Sequence, residues 1–259
     1  MSAEIRIEDL VVRFAGGMLA IDRVSLEVKA EEFVSIVGPS GCGKTTVLNL
    51  LTGLLPVETG SVSVRGMRPY AGNPDIAYML ARDSLLPWRS TLENACYGME
   101  IRGVPRARRE EKARALLARV GLGDFGDAWP KQLSHGMRQR AALARTFCLN
   151  SRILLMDEPF GALDAQTKLQ LEDLLLELWN AERRTVVFIT HDLAEAVALS
   201  DRVIVMSARP GRIVADMRIG LPRPRSVRNM QKDHAFHELC AEVWKQLEAG
   251  LGSSRDEVH

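Results

Sequence analysis

The sequence predicts an α/β fold in which a mostly parallel sheet carries helices on both faces. Three short apolar runs of strand length occur in the second half of the chain: ILLMD at 153–157, TVVFIT at 185–190 and RVIVM at 202–206. A helical run, residues 165–183, separates the first two. Strand–helix–strand alternation favours a parallel sheet, because the crossover helix returns the chain to start the next strand in the same direction.

The first third of the chain predicts further strands. Residues 5–28 alternate apolar and polar side chains on either side of Gly16 and Gly17, which is typical of two half-buried antiparallel strands joined by a turn. A buried strand, FVSIVG at 33–38, follows them, and a glycine-bounded strand is expected at 60–66. An antiparallel β segment is therefore expected ahead of the parallel core.

The middle of the chain, about residues 89–150, predicts helices instead. The clearest one follows Pro105, carries mixed charges that predict a solvated face, and ends at Gly121. Because strands flank this block on both sides, we expect an α-helical subdomain inserted into the core. The predicted organisation is one domain at 1–220 that contains this subdomain, followed by a short C-terminal segment at 221–259.

The C-terminal segment predicts a linker and a final helix. Pro222 and Pro224 oppose helix formation, so LPRPRSVRN is expected to be extended. Arg223, Arg225 and Arg228 are interpreted as part of a solvated linker, the alternative being contact with anionic lipid headgroups. HAFHELCAEVWKQLE then predicts an amphipathic helix.

The composition argues against two classes of protein. The 34 Lys and Arg residues are balanced by 33 acidic residues, so no global basic charge points to a nucleic-acid partner. The longest uncharged stretch in the apolar regions, residues 45–57, is much shorter than the roughly 20 apolar residues of a membrane-spanning helix. We therefore expect any contact with a membrane to be made from its surface.

A phosphate-binding loop is predicted where GPSGCGKT, residues 38–45, matches GxxxxGK[ST] between a buried strand and a helix. Glycines let the backbone wrap around phosphates, and the helix N-terminus adds its partial positive charge. We expect Lys44 to contact the β and γ phosphates and Thr45 to bind Mg²⁺. A chance glycine-rich turn is the alternative, which the flanking strand and helix disfavour. The predicted nucleotide contacts are Gly38, Pro39, Ser40, Gly41, Cys42, Gly43, Lys44, Thr45 and Thr46.

The four cysteines predict neither a metal site nor a disulfide framework. They show no CxxC spacing, and a reducing compartment fits them best. Cys42 lies inside the phosphate loop, where the helix N-terminus can lower the pKa of a thiol. A small residue that merely fits the loop is the simpler interpretation.

Two acidic residues at the end of the 153–157 strand predict a site that binds a metal ion and activates a water molecule. Asp157, at the strand tip, is expected to hold Mg²⁺ through water, and Glu158 to act as general base toward the attacking water. A solvated strand end is the alternative for adjacent carboxylates. His191 follows the strand at 185–190, at the edge where parallel sheets bind ligands, which favours a site residue over a structural histidine.

One further motif points to a family. LSHGMRQR at 133–140 resembles the LSGGQ signature of ATP-binding cassette (ABC) transporters, with His135 in place of the first glycine. The chain resembles the nucleotide-binding subunit of that family over about residues 5–220. The resemblance lies in the order and spacing of five features: the phosphate loop, this signature, ILLMDEP, ALD at 162–164 and His191. The resemblance implies a P-loop NTPase core that hydrolyses ATP with Mg²⁺. It also implies a head-to-tail homodimer with ATP bound between the two subunits.

The resemblance implies roles for several further residues. Phe14 matches the aromatic residue that stacks on adenine. Asp164 would lie at the interface between the two active sites, and His191 would contact the γ-phosphate and sense its loss. Three residues at the signature would contact the nucleotide held by the other subunit: Ser134, His135 and Gly136. The histidine is expected to be tolerated, because the serine and glycine beside it are retained.

One position departs from the family pattern. The loop joining the core to the helical subdomain normally carries a glutamine, and alignment on the segment LLPW places Ala81 there. Alanine can neither ligate Mg²⁺ nor position water. Either Arg82 or Asp83 takes that role, or this step depends on Asp157, Glu158 and solvent alone.

The segment LLPW, residues 85–88, resembles the nitrate, sulfonate and taurine importer subfamily. That implies a subunit on the cytoplasmic face of the cell membrane, which energises uptake through a separate permease supplied by an extracellular or periplasmic solute-binding protein. The permease is expected to dock near Leu85, Leu86 and Trp88, the alternative being that these side chains pack the subdomain's own core. A pyrimidine or thiamine-precursor-like base is the alternative cargo. A soluble non-transport ABC ATPase or a regulatory cassette is the alternative class.

Overall fold

The structure is a computed structural model that describes residues 3–14, 16–81 and 83–252. Its strands are β1 (Ala3–Arg13), β2 (Leu19–Lys29), β3 (Phe33–Val37), β4 (Thr59–Val64), β5 (Ile76–Met79), β6 (Ile153–Asp157), β7 (Thr185–Ile189), β8 (Arg202–Met206) and β9 (Ile213–Arg218). Its α-helices are α1 (Lys44–Leu51), α2 (Thr91–Ile101), α3 (Arg106–Arg119), α4 (His135–Cys148), α5 (Ala165–Ala181), α6 (Leu193–Leu199), α7 (Val227–Met230) and α8 (His234–Gly252).

The central sheet has the strand order β5-β6-β7-β3-β8-β9 and is parallel except for β9, which pairs antiparallel with β8. Strands β3, β6 and β7 are buried along their whole length, which explains their continuous apolar sequences. The predicted parallel sheet and the strands β6, β7 and β8 are confirmed. Strands β5 and β9 give no such signal, because β5 has only four residues and β9 alternates half-buried with exposed residues.

A second sheet, with the order β2-β1-β4, is antiparallel and covers one face of helix α1. Inward-facing residues of β1 and β2, such as Ile7 and Val24, share an apolar cluster with Val47 and Leu48 of α1 and with Ile36 of β3. Helix α1 is thereby held between the two sheets. The predicted antiparallel segment is confirmed, and it fixes the helix that follows the phosphate loop.

Helices α2, α3 and α4 lie in the chain between β5 and β6 and pack on one another. Helix α2 begins with a capping box, in which the Glu93 N–H donates to Ser90 Oγ and the Ser90 N–H donates to Glu93 Oε2. Asn94, in the first turn, is buried and accepts a hydrogen bond from the Leu86 N–H at 2.7 Å. That bond joins the loop at 85–88 to the start of the helical block.

The segment after β9 differs from the predicted solvated, extended linker. Arg223 stacks over Trp179 at 4.2 Å and pairs with Asp201 at 2.7 Å. Arg225 is buried and donates to carbonyl oxygens at the end of α6, including Ser200 O at 2.6 Å. The residues that follow form the short helix α7 rather than an extended strand. The prediction of a solvated position was wrong for Arg223 and Arg225, because the last carbonyls of a helix lack backbone partners and accept an arginine readily. Arg228 is exposed, as predicted.

The final helix, α8, packs against β8, β9 and α6. Phe236 and Val243 on its inner face are buried, whereas Trp244 is exposed, as expected of an amphipathic helix. Within the described ranges, none of the helices combines the length and the apolar character needed to cross a membrane.

Candidate nucleotide-binding site

The predicted phosphate loop connects the end of β3 to the start of α1. Gly43 precedes the first helical residue and has a φ of 101°, in the region that L side chains rarely adopt. A Cβ atom at Gly43 would also lie 2.8 Å from a side-chain carbon of Ile21 in β2. The tight turn therefore requires glycine, and it directs the N-terminus of α1 toward the loop.

Lys44 folds back over the loop. Its Nζ atom donates to the carbonyl oxygens of Gly38 at 2.8 Å and Pro39 at 3.1 Å, and the side chain is buried. The ammonium group is thus held at the mouth of the loop by backbone oxygens. A point charge in this position can pair with phosphate oxygens.

Thr45 and Asp157 meet at the carboxyl edge of the sheet. Thr45 Oγ1 donates to Asp157 Oδ2 at 2.9 Å. Burial raises the pKa of Asp157 above its usual value, with the nearby Glu158 charge acting in the same direction. A hydroxyl beside a partly desolvated carboxylate is a donor set that fits Mg²⁺, which takes one or two protein oxygens and completes its shell with phosphate and water.

Glu158 and His191 come from adjacent parallel strands, β6 and β7, and meet beyond the strand ends. His191 Nδ1 lies 3.0 Å from Glu158 Oε2. The Glu158 backbone has a φ of 44°, and its N–H donates to Ile189 O at 2.9 Å. A left-handed glutamate is strained, and such strain tends to persist at sites where a side chain must be aimed.

The loop that carries His191 is held by a cluster of charged residues, which consists of Lys168, Glu172, Asp192 and Glu195. Asp192 accepts a hydrogen bond from Lys168 Nζ of α5 at 2.8 Å, and the Asp192 N–H donates to Thr190 Oγ1 at 2.9 Å. The Glu195 and Glu172 side chains are also buried here, and burial raises the pKa of both carboxyls. Sequence reasoning missed this cluster, because its members are spread over two helices and a strand end.

A cavity of about 220 Å³ opens at the phosphate loop. It brings together residues that are far apart in the chain: Phe14, Ala20, Ser40, Gly41, Gly43, Lys44, Thr45, Thr46, Glu158 and Arg209. Phe14 is 39% exposed, so its ring is accessible for stacking. Arg209 was not predicted, since nothing in the sequence shows that β8 lies beside β3 and brings its following loop to the same edge.

Comparison with known proteins gives consistent results. Residues 21–161 match the protein family described as ABC transporter. The chain is 42% identical to the taurine import ATP-binding protein TauB of Chromobacterium violaceum, over 94% of this chain and 97% of that protein. It is 43% identical to the aliphatic sulfonates import ATP-binding protein SsuB of Cupriavidus pinatubonensis, over 85% and 71% respectively. A solved dimeric ATP-binding cassette bound to ADP and Pi is 28% identical, with a TM-score of 0.73 over 84% of this chain and 100% of that one.

The chain belongs to the ABC transporter family. As an ABC ATPase it binds and hydrolyses ATP on a P-loop NTPase fold, so the predicted family, fold class and activity are confirmed. The roles of the individual residues stay predictions.

The signature residues of this ABC ATPase lie at the start of α4. Ser134 caps the helix by accepting the Met137 N–H at 3.2 Å, and both Ser134 and His135 are exposed. Asp164 caps α5 in the same way, accepting the Thr167 N–H at 3.0 Å, and this bond holds the pKa of the carboxyl below its usual value. Among the described residues, these capping groups do not line the cavity at the phosphate loop.

Cys42 lies in the phosphate loop as predicted, but its thiol is buried. Burial raises its pKa, and this effect outweighs the opposing charge of Lys44. The buried thiol therefore agrees with the simpler interpretation, a small residue that fits the loop, and not with the alternative of a lowered thiol pKa.

The loop that contains Ala81 is tied to the signature helix α4 through Asp83. Ala81 is exposed, and Arg82 lies outside the described residues. Asp83 pairs with Arg138 of the signature helix at 2.9 Å and also accepts the Leu85 N–H at 3.3 Å. Asp83 is thus engaged with the signature helix α4 in this structure.

The predicted docking residues divide between core and surface. Leu85 is 8% exposed and belongs to the main apolar cluster, Leu86 is half-buried, and Trp88 is 67% exposed. Trp88 borders a groove of about 450 Å³ on the helical block. The other lining residues are mostly charged: Arg89, Leu92, Glu93, Cys96, Glu100, Arg106, Arg109 and Glu110.

Proposed function

We propose that this ABC ATPase is the nucleotide-binding subunit of an importer that energises uptake of a small anion of the nitrate, sulfonate or taurine type. The observation that carries the ATP-driven part is the grouping of Lys44, the Thr45–Asp157 pair and the Glu158–His191 pair at one sheet edge. The importing direction and the class of cargo are supported by the likeness to taurine and aliphatic sulfonate import proteins.

In the proposed reaction, water attacks the γ-phosphate in line and Glu158 accepts its proton, while the bond to the bridging oxygen breaks and ADP leaves. Lys44 stabilises the charge on the transferred phosphoryl group. Thr45 and Asp157 would hold Mg²⁺, which would neutralise part of the phosphate charge. His191 orients Glu158 through their 3.0 Å contact and contacts the γ-phosphate.

The complete site needs a second copy of the chain in this proposal. Ser134, His135, Gly136 and Asp164 would contact the nucleotide bound to the partner subunit, and each subunit would complete the other's site. Such a head-to-tail homodimer has twofold symmetry. Residues 1–220 would form the ATPase unit.

Within that unit, about residues 89–150 would act as the helical subdomain that transmits movement. The segment at 221–259 would follow as a C-terminal linker and helix. Trp88 and the groove beside it would receive a helix of the permease, since an exposed tryptophan at a groove is a typical interface anchor. Leu85, being buried, would support this surface from beneath.

The subunit would therefore lie on the cytoplasmic face of the cell membrane, held there by the permease. A solute-binding protein outside would deliver the cargo. Uptake of labelled solutes into reconstituted vesicles tests the cargo class. ATP-dependent uptake of taurine, another sulfonate or nitrate supports the proposal, whereas uptake of a pyrimidine or thiamine precursor alone replaces it with the base-importing alternative.

The main test is ATP turnover of the subunit reconstituted with its partner permease. We expect the wild-type subunit to turn over ATP, Ala81→Gln to remain active, and Trp88→Ala to lose stimulation by the permease. Turnover of the isolated subunit serves as the reference for each variant. If the wild-type complex is inactive and Ala81→Gln restores it, the chain is a regulatory cassette and the importer-motor proposal fails.

A further inference from the structure

The loop after β8, residues 207–212, lies directly against the phosphate loop. Because β8 runs parallel to β3, both strands end at the same edge of the sheet. A Cβ atom at Gly211 would lie 2.0 Å from Cys42 O, so only glycine permits this approach. The Gly211 N–H donates to Ala20 O at 2.9 Å, and the Asp22 N–H donates to Gly211 O at 3.0 Å. The loop is therefore fixed against both the phosphate loop and β2.

Arg209 reaches from this loop over the mouth of the cavity. Its Nη2 atom donates to Gly41 O at 3.3 Å, and its Nη1 atom lies 3.0 Å from Met18 Sδ. Among the described residues, no carboxylate pairs with this guanidinium. Arg212, three residues on in the same loop, instead pairs with Asp22 at 2.8 Å and does not line the cavity.

The charged residues that line the cavity suit an anionic ligand. Lys44 and Arg209 are the cationic residues in the described lining, opposite the carboxylate of Glu158. A nucleotide polyphosphate is strongly anionic, and a guanidinium offers several donors to it in a planar fork. A carbonyl and a thioether are weaker partners for a cation than a phosphate oxygen is, so the present contacts can be exchanged on binding.

We propose that Arg209 is a nucleotide-binding residue, whose guanidinium moves from Gly41 O and Met18 Sδ onto the anionic chain of the nucleotide. This rests on the proposed placement of the nucleotide in the cavity. Arg209 contacts Met18, and the Met18 carbonyl accepts the N–H of Phe14, the residue predicted to stack on adenine. Arg209 therefore lies on the side of the cavity predicted for the adenine base. Glu158 is instead held by His191. Arg209 accordingly sets nucleotide affinity more than the rate of hydrolysis.

The test compares Arg209→Met with Arg212→Met, which removes the same charge from the same loop outside the cavity. Titration with a fluorescent ATP analogue gives Kd, steady-state turnover gives KM and kcat, and thermal melting checks that each variant folds. We expect Arg209→Met to raise Kd and KM by about tenfold with kcat within about twofold of wild type, and Arg212→Met to change neither. Arg209→Lys should keep most of the affinity as a point charge.

Three results would overturn the proposal. Arg209→Met binding as tightly as wild type would remove the contact altogether. If Arg212→Met weakened nucleotide binding as much as Arg209→Met does, the effect would come from the overall positive charge of the loop and not from a contact made by Arg209. Equal weakening by Arg209→Lys and Arg209→Met would assign it to loop packing. Lys44→Ala separates these outcomes from failure of the nucleotide site itself, because unchanged binding in that variant would remove the nucleotide from this cavity.

Discussion

At the scale of single residues, Glu158 is positioned by its backbone as much as by its side chain. Its φ of 44° is a conformation that costs of the order of 1–3 kcal/mol and persists only when the surroundings enforce it. Here the enforcement comes from the Ile189 carbonyl, which accepts the Glu158 N–H, and from His191, which holds the carboxylate. The side chain is thus held in place by the end of β7 and by His191, which follows that strand.

Glu158→Gln tests this role directly. The amide retains the shape and can still contact His191, but it cannot accept a proton from water. We expect ATP turnover to fall by about 10²- to 10⁴-fold with ATP binding retained. Turnover under saturating ATP and nucleotide affinity are the two measurements. Turnover within about tenfold of wild type would show that another group acts as the base.

At the scale of elements, Arg225 shows how a buried cation stabilises the end of a helix. Its guanidinium donates to Ser200 O at 2.6 Å and Leu221 O at 2.8 Å, linking the end of α6 to the segment after β9. The hydrogen-bond partners of Arg225 are backbone carbonyl oxygens and not carboxylates. Burial accordingly lowers the pKa of this arginine, to about 10.

Replacing Arg225 should therefore destabilise the fold. In Arg225→Met the carbonyl oxygens at the end of α6 lose a charged donor, each such bond contributing about 1.5–3 kcal/mol. We expect a loss of about 2–4 kcal/mol in the free energy of unfolding, measured by denaturant titration. Arg228→Met is the matched control, since Arg228 is exposed and reaches Asp173 only at 3.8 Å. Equal stability of the two variants would contradict a structural role for Arg225.

The same elements show what the sequence could predict. Strands such as β6 and β7 were predictable because burial on both faces demands a continuous apolar run. The phosphate loop was predictable because its chemistry is local. Arg209 and Arg225 were not, since their partners are 168 and 25 residues away in the chain and only strand order and helix packing bring them together.

Helices α5 and α6 share the buried cluster beneath the His191 loop, and its carboxyls make stability depend on pH. Burial raises the pKa of Glu172 and Glu195, so the native state holds protons that the unfolded chain has already released. In that range the unfolded state binds fewer protons, and stability falls as the pH rises from mildly acidic toward mildly alkaline values. Lys168, which lies 3.9 Å from Glu172 and 3.8 Å from Glu195, offsets only part of this cost.

Glu172→Gln should reduce this pH dependence. The amide cannot ionise, so the loss of Tm between about pH 6 and about pH 8.5 should be smaller than in wild type. Glu177→Gln, at an exposed position of the same helix, should leave the wild-type loss unchanged. Thermal melts of the three proteins at both pH values decide the matter. An unchanged loss in Glu172→Gln would show that this carboxyl is already ionised in the native state.

At the scale of the whole molecule, the capping residues Ser134 and Asp164 are exposed, while the cavity at the phosphate loop is lined by other residues. An ATPase that closes two copies around ATP needs such exposed groups, because ATP favours the closed state only if it contacts both subunits there. The solved dimeric cassette, at a TM-score of 0.73, shows that this fold can associate in pairs. In the proposed dimer, hydrolysis would open the pair, because it would remove the phosphate that both copies contact.

A dimerisation experiment tests this arrangement. Glu158→Gln is expected to bind ATP and to hydrolyse it only slowly, so we expect light scattering to show a doubled mass with Mg·ATP and the monomer mass with ADP. Adding Ser134→Arg should keep the protein monomeric while nucleotide binding persists, since an unpaired charge forced into an interface costs several kcal/mol. Adding Ala241→Arg instead, at an exposed position of α8, controls for the extra charge and should leave the dimer intact. A dimer that forms equally well with Ser134→Arg would place the interface elsewhere, and the signature would then have to act within its own subunit.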